Sequence, residues 1–218
     1  MGNPSLQVVD TGRPTHWRQA PVTALFALIS ILVFLFFYLG APQQWISYLT
    51  FMPFDIVGRQ LVFSTMDGQY WRLVTPVFLH FGWLHITFNC LWLWELGGRI
   101  ERVLGSWNTL GMLLVVAVVS NTGQYLYSGP ALFGGMSGVV YGLLGFGWVA
   151  PILQPRWPLQ PAPAIVAFMV GWLLLCMTGV MGILGAGAVA NAAHVGGLVC
   201  GGLLGLVLGL MSRLQYRN

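Results

Sequence analysis

From Val22 to Leu39 the chain runs without a charged side chain, through a stretch made almost wholly of Leu, Phe, Ile, Val and Ala. That length is close to the roughly 20 residues a helix needs to cross the hydrocarbon core of a bilayer. Five further apolar runs follow, at about 84–103, 109–127, 137–150, 164–184 and 189–211. With 57% hydrophobic and only 6% charged residues, the chain cannot cover a water-facing surface with polar groups. An integral membrane protein of the all-α, polytopic class is predicted, folded as one bundle of six transmembrane helices over 21–212. A short cytoplasmic tail at 1–20 and another at 213–218 flank it. The first run is too long for a signal-peptide core and lacks a convincing cleavage site, so it reads as a retained helix. The fourth run is the shortest, which suggests a helix surrounded by other helices.

The connection from Gly40 to Trp83 is too polar to span and too apolar to float free. Its aromatics, among them Trp45, Tyr48, Phe51, Phe54, Tyr70 and Trp71, suit an interfacial loop with short helices at headgroup depth. Nine arginines, no lysine and five acids give a formal charge of +4 without any basic patch, so no nucleic-acid partner is expected. With the N-terminus inside, Arg13, Arg18, Arg99, Arg102, Arg156, Arg213 and Arg217 fall on the inner side and Arg59 and Arg72 on the outer. That asymmetry favours both termini in the cytoplasm. Cys90, Cys176 and Cys200 sit in apolar runs without metal or disulfide spacing. Glu95 and Arg99 are helical i,i+4 partners and are expected to pair.

In this topology His85 and Asn89 open the second span, Ser137 opens the fourth, and His194 lies near the start of the sixth. Three parts of the chain thus deliver polar groups to one layer below the outer surface, where such groups are costly and by default functional. Gly197, Gly201, Gly205 and Gly209 form a stripe below His194, and Gly138, Gly142 and Gly145 form another beside Ser137. Small faces let helix backbones approach closely, so the fourth and sixth spans should pack together and bring Ser137 to His194. The plainer alternative is a packing ladder with a structural histidine. His85 and Asn89, four apart, share a helix face but lack the acid or thiol neighbours a zinc site wants. No metal or other cofactor is expected, and the pair suits the stabilisation of a developing oxyanion. His80 is off that helical pattern and is assigned to the loop.

The set Trp71-Arg72, then His80, His85 and Asn89 in HFGWLHITFN, GGMSG at 134–138 with Tyr141, and AHVGG at 193–197 resembles the rhomboid intramembrane serine proteases of the bacterial six-helix type. The resemblance implies a Ser-His dyad without an acid: Ser137 as nucleophile, His194 as general base, and Tyr141 packed on the imidazole. It also implies an oxyanion site from the Ser137 N–H with His85 and Asn89, supported by Gly135 and Gly138. Trp71 and Arg72 would anchor the outer loop, and Arg72 alternatively snorkels to lipid phosphate. A lateral gate would lie at the fifth span and the glycine-rich loop after it (Gly179, Gly182, Gly185, Gly187). Trp172 and Phe88 are candidate gate aromatics or lipid-facing residues. Many bacterial relatives carry an N-terminal cytoplasmic domain, for which the tail leaves no room.

The implied function is cleavage of single-span or polytopic membrane proteins near the outer face of the cell membrane, with the lipid bilayer as the other partner; the oligomeric state is left open. GMSG lacks the second glycine of the GxSxG elbow, which excludes a soluble-type hydrolase. A catalytically silent relative that binds transmembrane helices is the alternative. A channel or transporter is disfavoured by the lack of a charged path or repeat symmetry.

Overall fold

The computed structural model describes residues 16–180 and 189–215. Within them the fold is carried by α1 (Pro21–Tyr38), α2 (Trp83–Trp92), α3 (Gly98–Leu104), α4 (Ser106–Ser128), α5 (Ser137–Leu153), α6 (Pro163–Met177) and α7 (Asn191–Gln215). Helices α1, α4 and α7 are long and apolar enough to cross a membrane, and α5 and α6 are shorter apolar helices. A π-helical turn, Leu93–Gly97, joins α2 to α3, so the predicted second span is one rod with an inserted turn. Gly97 lies where that rod meets its neighbours: a Cβ there would come within 3.2 Å of Thr23 and 3.4 Å of Leu143.

Helix α5 is the core of the molecule, with every residue from Gly138 to Gly147 buried. A helix enclosed by protein over ten consecutive residues has less need to match the bilayer's thickness, and its exposed residues, Trp148 and Ile152, come only near its end. Its closest partner is α7. A Cβ on Gly197 would overlap the carbonyl of Gly138, one on Gly201 that of Gly142, and one on Gly145 that of Leu198. Lower down, Gly205 and Gly209 meet Phe146 and Ala150 at 3.0 Å by the same measure. The two helices therefore touch backbone to backbone, which side chains larger than hydrogen would prevent.

Glu101 fastens the opposite end of the bundle. Its buried carboxylate accepts from the N–H groups of Val22 and Thr23 at 2.9 and 2.8 Å, from the Thr23 hydroxyl at 2.8 Å and from Ser106 at 2.7 Å. It thereby satisfies donors in the first turn of α1 and complements that helix's positive end. Glu95 and Arg99 form an ion pair one turn away.

The helical fold expected from the sequence is present, and the connecting loop holds more than the short helices expected there. The connection between α1 and α2 contains 3-10 turns at Gln43–Tyr48, Tyr70–Leu73 and Thr75–Phe78, but also an antiparallel hairpin of β1 (Phe54–Val57) and β2 (Gln60–Phe63). The reason is local: β-branched Ile56, Val57 and Val62 flank Gly58, which takes the positive φ of +65° that a tight hairpin turn demands. Two helix limits also differ from the hydropathy reading. Helix α6 ends at Met177, with Gly179 in a left-handed conformation (φ +76°) just beyond, and α7 continues past Met211 to Gln215. Gly182, Gly185 and Gly187 of the expected mobile cap, and most of the N-terminal tail, lie outside the described residues.

Candidate active site

Ser137 is the first residue of α5, so its N–H is one of those a helix leaves without an internal partner. His194 lies in the first turn of α7, and its Nε2 is 2.8 Å from Ser137 Oγ. The start of α7 is held by α4, where Gln124 Oε1 accepts from the Ala193 N–H at 3.1 Å. Tyr141, one turn below the serine, lies against the histidine ring with centroids 4.8 Å apart. Its hydroxyl donates to the carbonyl of Met169 on α6 at 2.8 Å. His194 is buried at 4% exposure, and among the described residues its Nδ1 has no hydrogen-bond partner. The geometry is thus that of an alcohol and an imidazole without an acid behind them, able to pass one proton between Oγ and Nε2.

His85 and Asn89 converge on the backbone beside the serine. Gly135 has φ +118°, and a Cβ there would lie 2.5 Å from His85 Nε2 and 3.7 Å from Asn89 Nδ2. The two side chains therefore close on the Gly135 backbone, two residues before Ser137. Asn89 is oriented by donating to the His85 carbonyl at 3.0 Å. Gly138 faces the other way, where a Cβ would come within 2.8 Å of Ser120.

The strand-free segment before α5 is held from outside the helix pattern. Gly135 N–H donates to the Pro76 carbonyl at 2.9 Å, and Met136 N–H points at His80 Nε2 at 3.4 Å. His80 Nδ1 contacts the Phe78 carbonyl at 3.1 Å, so the neutral tautomer with Nδ1–H serves both partners. Burial first, and then the neighbouring His85, push the His80 pKa down to about 3. His80 belongs to the loop as the sequence suggests, yet it supports the backbone of the nucleophile, a contact no helical periodicity could reveal.

A family model for the rhomboid domain matches residues 67–211. The chain belongs to the rhomboid family. Proteins named rhomboid protease GlpG from Yersinia pseudotuberculosis, Pectobacterium atrosepticum and Yersinia pestis are each 38% identical to it over 187 residues, which is 86% of this chain and 62% of theirs. This rhomboid chain therefore spans about three fifths of the length of the curated relatives it matches.

The remaining candidates are placed as follows. Arg72 is buried at 2% exposure and donates through Nη1 to the carbonyls of Ser47 and Thr50, the latter at 2.9 Å, and through Nε to Gln69 at 2.8 Å. Trp71 Nε1 donates to the Tyr48 carbonyl at 3.3 Å. Both residues join the loop after α1 to the segment before α2. Phe88 and Trp172 do not touch each other in a ring pair; each stacks on Phe168, at 6.5 and 6.3 Å between centroids. Phe168 also meets Trp92 at 5.7 Å, so it is the centre of the aromatic seam between α2 and α6. A second-turn aromatic on an evenly apolar helix carries no periodic signal, which is why the sequence did not single it out.

Proposed function

We propose that this rhomboid chain is an intramembrane serine endopeptidase working through a Ser137–His194 dyad and an acyl-enzyme. The observation that carries the reading is the 2.8 Å contact between His194 Nε2 and Ser137 Oγ, with His85 and Asn89 against the Gly135 backbone two residues away. In the first step Ser137 Oγ attacks the peptide carbonyl while its proton passes to Nε2. The resulting oxyanion accepts from the Ser137 N–H, His85 and Asn89. Collapse breaks the C–N bond as His194 protonates the leaving nitrogen. A water then surrenders a proton to Nε2, attacks the ester, and releases the acid with the proton returned to Oγ. Tyr141 keeps the imidazole plane in place through ring contact.

The reading extends to topology and substrate. On this reading α2 and α3 count as one of six spans, both termini are cytoplasmic, and the dyad would lie near the outer face of a bacterial inner membrane. Single-span or polytopic membrane proteins would be cut there, and Trp71 and Arg72 would hold the outer loop over the bundle. The presence of both reacting groups in bonding contact favours catalysis over a silent helix-binding relative.

The test is cleavage of a single-span model substrate in reconstituted vesicles together with labelling by a serine-directed fluorophosphonate. Both should be present in the natural chain and lost in Ser137→Ala and His194→Ala. Cleavage that persists in either variant would overturn the proposal, and a properly inserted natural chain that neither cleaves nor labels would establish the silent relative instead.

A further inference from the structure

Glu95 and Arg99 serve neither the dyad nor the clamp at Glu101. The Glu95 carboxylate accepts from Arg99 Nη2, and among the described residues neither side chain has a further hydrogen-bond partner. The pair straddles the π turn, with Glu95 inside Leu93–Gly97 and Arg99 second in α3. Leu93, Leu96, Gly97, Ile100 and Glu101 are buried, whereas Phe88 and Leu91 are exposed and the Glu95 and Arg99 side chains keep 36% and 29% exposure. The ion pair therefore stands on the outward side of the rod, below the rings of Phe88 and Trp92 that meet Phe168 of α6.

Glu95 is twelve residues from Trp83 and nine from Leu104, so about 18 Å of helix lies on one side of it and about 14 Å on the other, in a hydrocarbon core about 30 Å thick. Charged groups at such depth are rare on an outward surface and by default mark a functional site. Pairing removes the net charge but not the demand for hydrogen bonds. A guanidinium has five N–H donors and a carboxylate about four acceptor positions, and the pair uses one of each. Lipid tails supply none. The complement is a group that gives and takes at once without adding charge. A carboxamide does this: its C=O accepts from Arg99 while its NH2 donates to Glu95. A Lys or Asp guest would satisfy one partner and bring an unbalanced charge into hydrocarbon.

We propose that Glu95 and Arg99 form an intramembrane docking site for a substrate helix that carries Asn or Gln in its inner half. The inference rests on the protease reading and names a substrate class for it. Asn89, which reaches the Gly135 backbone, precedes Glu95 by six residues, about 9 Å of helix. The amide therefore belongs roughly six to ten residues from the cut, on its inner side. A substrate held there has its depth and rotation fixed before its peptide bond reaches Ser137.

The test uses a single-span substrate whose inner half is wholly apolar, and a series in which one residue at that distance from the cut is Asn, Gln, Lys or Asp. Each is cleaved in vesicles by the natural chain and by a double variant, Glu95→Leu with Arg99→Leu, which leaves no orphaned charge. The natural chain should prefer the best Asn or Gln host over the apolar host by about 3–10-fold in kcat/KM, the scale of an interhelical hydrogen bond or two. The double variant should lose that preference while cleaving the apolar host and reacting with a fluorophosphonate at the natural rate. An amide also loosens a substrate helix by itself, so a preference that survives in the double variant would overturn the proposal. The same result is expected if Arg99 snorkels to inner-leaflet phosphate with Glu95 as its counter-ion. Equal cleavage of all hosts, or a preference for Lys or Asp, would overturn it too. Should the double variant not insert, the natural pair serves. In Ser137→Ala, a substrate bearing a photo-crosslinking side chain at the responsive position should attach to residues 91–99, and attachment elsewhere would defeat the idea. Cleavage of the apolar host tests the protease reading by itself, so the two can fail independently.

Discussion

The carbonyl oxygen of Gly138 occupies the place that a Cβ on Gly197 would need. Neither side can yield, because the obstacle is backbone rather than the end of a flexible side chain. Gly197→Ala should therefore force α5 from α7, at about 1–3 kcal/mol for overpacking. Loss of alignment between Ser137 and His194 should cost roughly 10²-fold in cleavage. Gly202→Ala is the control, since its Cβ would meet only Val149 Cγ2 at 3.6 Å. Thermal midpoints in detergent and cleavage rates check both. Equal behaviour of the two variants would remove the backbone contact as the determinant of the dyad.

Glu101 supports stability at the far end of the bundle from the chemistry. Glu101→Ala would strand the Val22 and Thr23 N–H groups and the hydroxyls of Thr23 and Ser106. Buried donors left without an acceptor cost about 1–3 kcal/mol each at most, and partial relaxation suggests about 3 kcal/mol in total. Glu101→Gln, which keeps one acceptor oxygen, should lose about half. The folded fraction should still react with a fluorophosphonate at the natural rate. An unchanged melting point in Glu101→Ala would show that water replaces the carboxylate freely.

His80 predicts a pH dependence. Its pKa falls from the ordinary 6.5 to about 3 in the folded chain, mainly through burial. Below pH 6.5 the unfolded state binds a proton that the folded state refuses, so stability declines as pH drops from 6.5 towards 3 and levels off below that. His80→Gln, which retains an acceptor for Met136 N–H and a donor for the Phe78 carbonyl, should flatten the decline. Melting curves of the two proteins between pH 7 and 4 supply the comparison, and parallel slopes would assign the acid sensitivity to other groups.

Phe168 is the shared partner of Phe88, Trp92 and Trp172. If substrates enter between α2 and α6, this seam must part, and each ring pair holds it by about 0.5–1.5 kcal/mol. Phe168→Ala should then raise turnover of a transmembrane substrate by roughly 2–10-fold, while labelling by a small fluorophosphonate stays level. A parallel change in both would place the seam among ordinary lipid-facing contacts.

Much of the site was legible because it depends on one-dimensional regularities. The spacing of Gly138, Gly142 and Gly145 against Gly197, Gly201, Gly205 and Gly209 defines two side-chain-free faces, and the i,i+4 placement of His85 and Asn89 puts them on one side of a helix. The hairpin was also written in the chain, as β-branched residues about Gly58, a local cluster that hydropathy and aromatic content do not register.

Residue order and polarity alone decided that this chain belongs in a bilayer and which small residues lie on facing helix surfaces, since periodicity and transfer free energy are local properties. Only the tertiary structure decided that His80 supports the Met136 backbone, that Glu101 holds the start of α1 across 79 residues of sequence, and that Phe168 joins two aromatic candidates. Those contacts depend on how separate elements approach in space. No propensity or period within a single element carries that information.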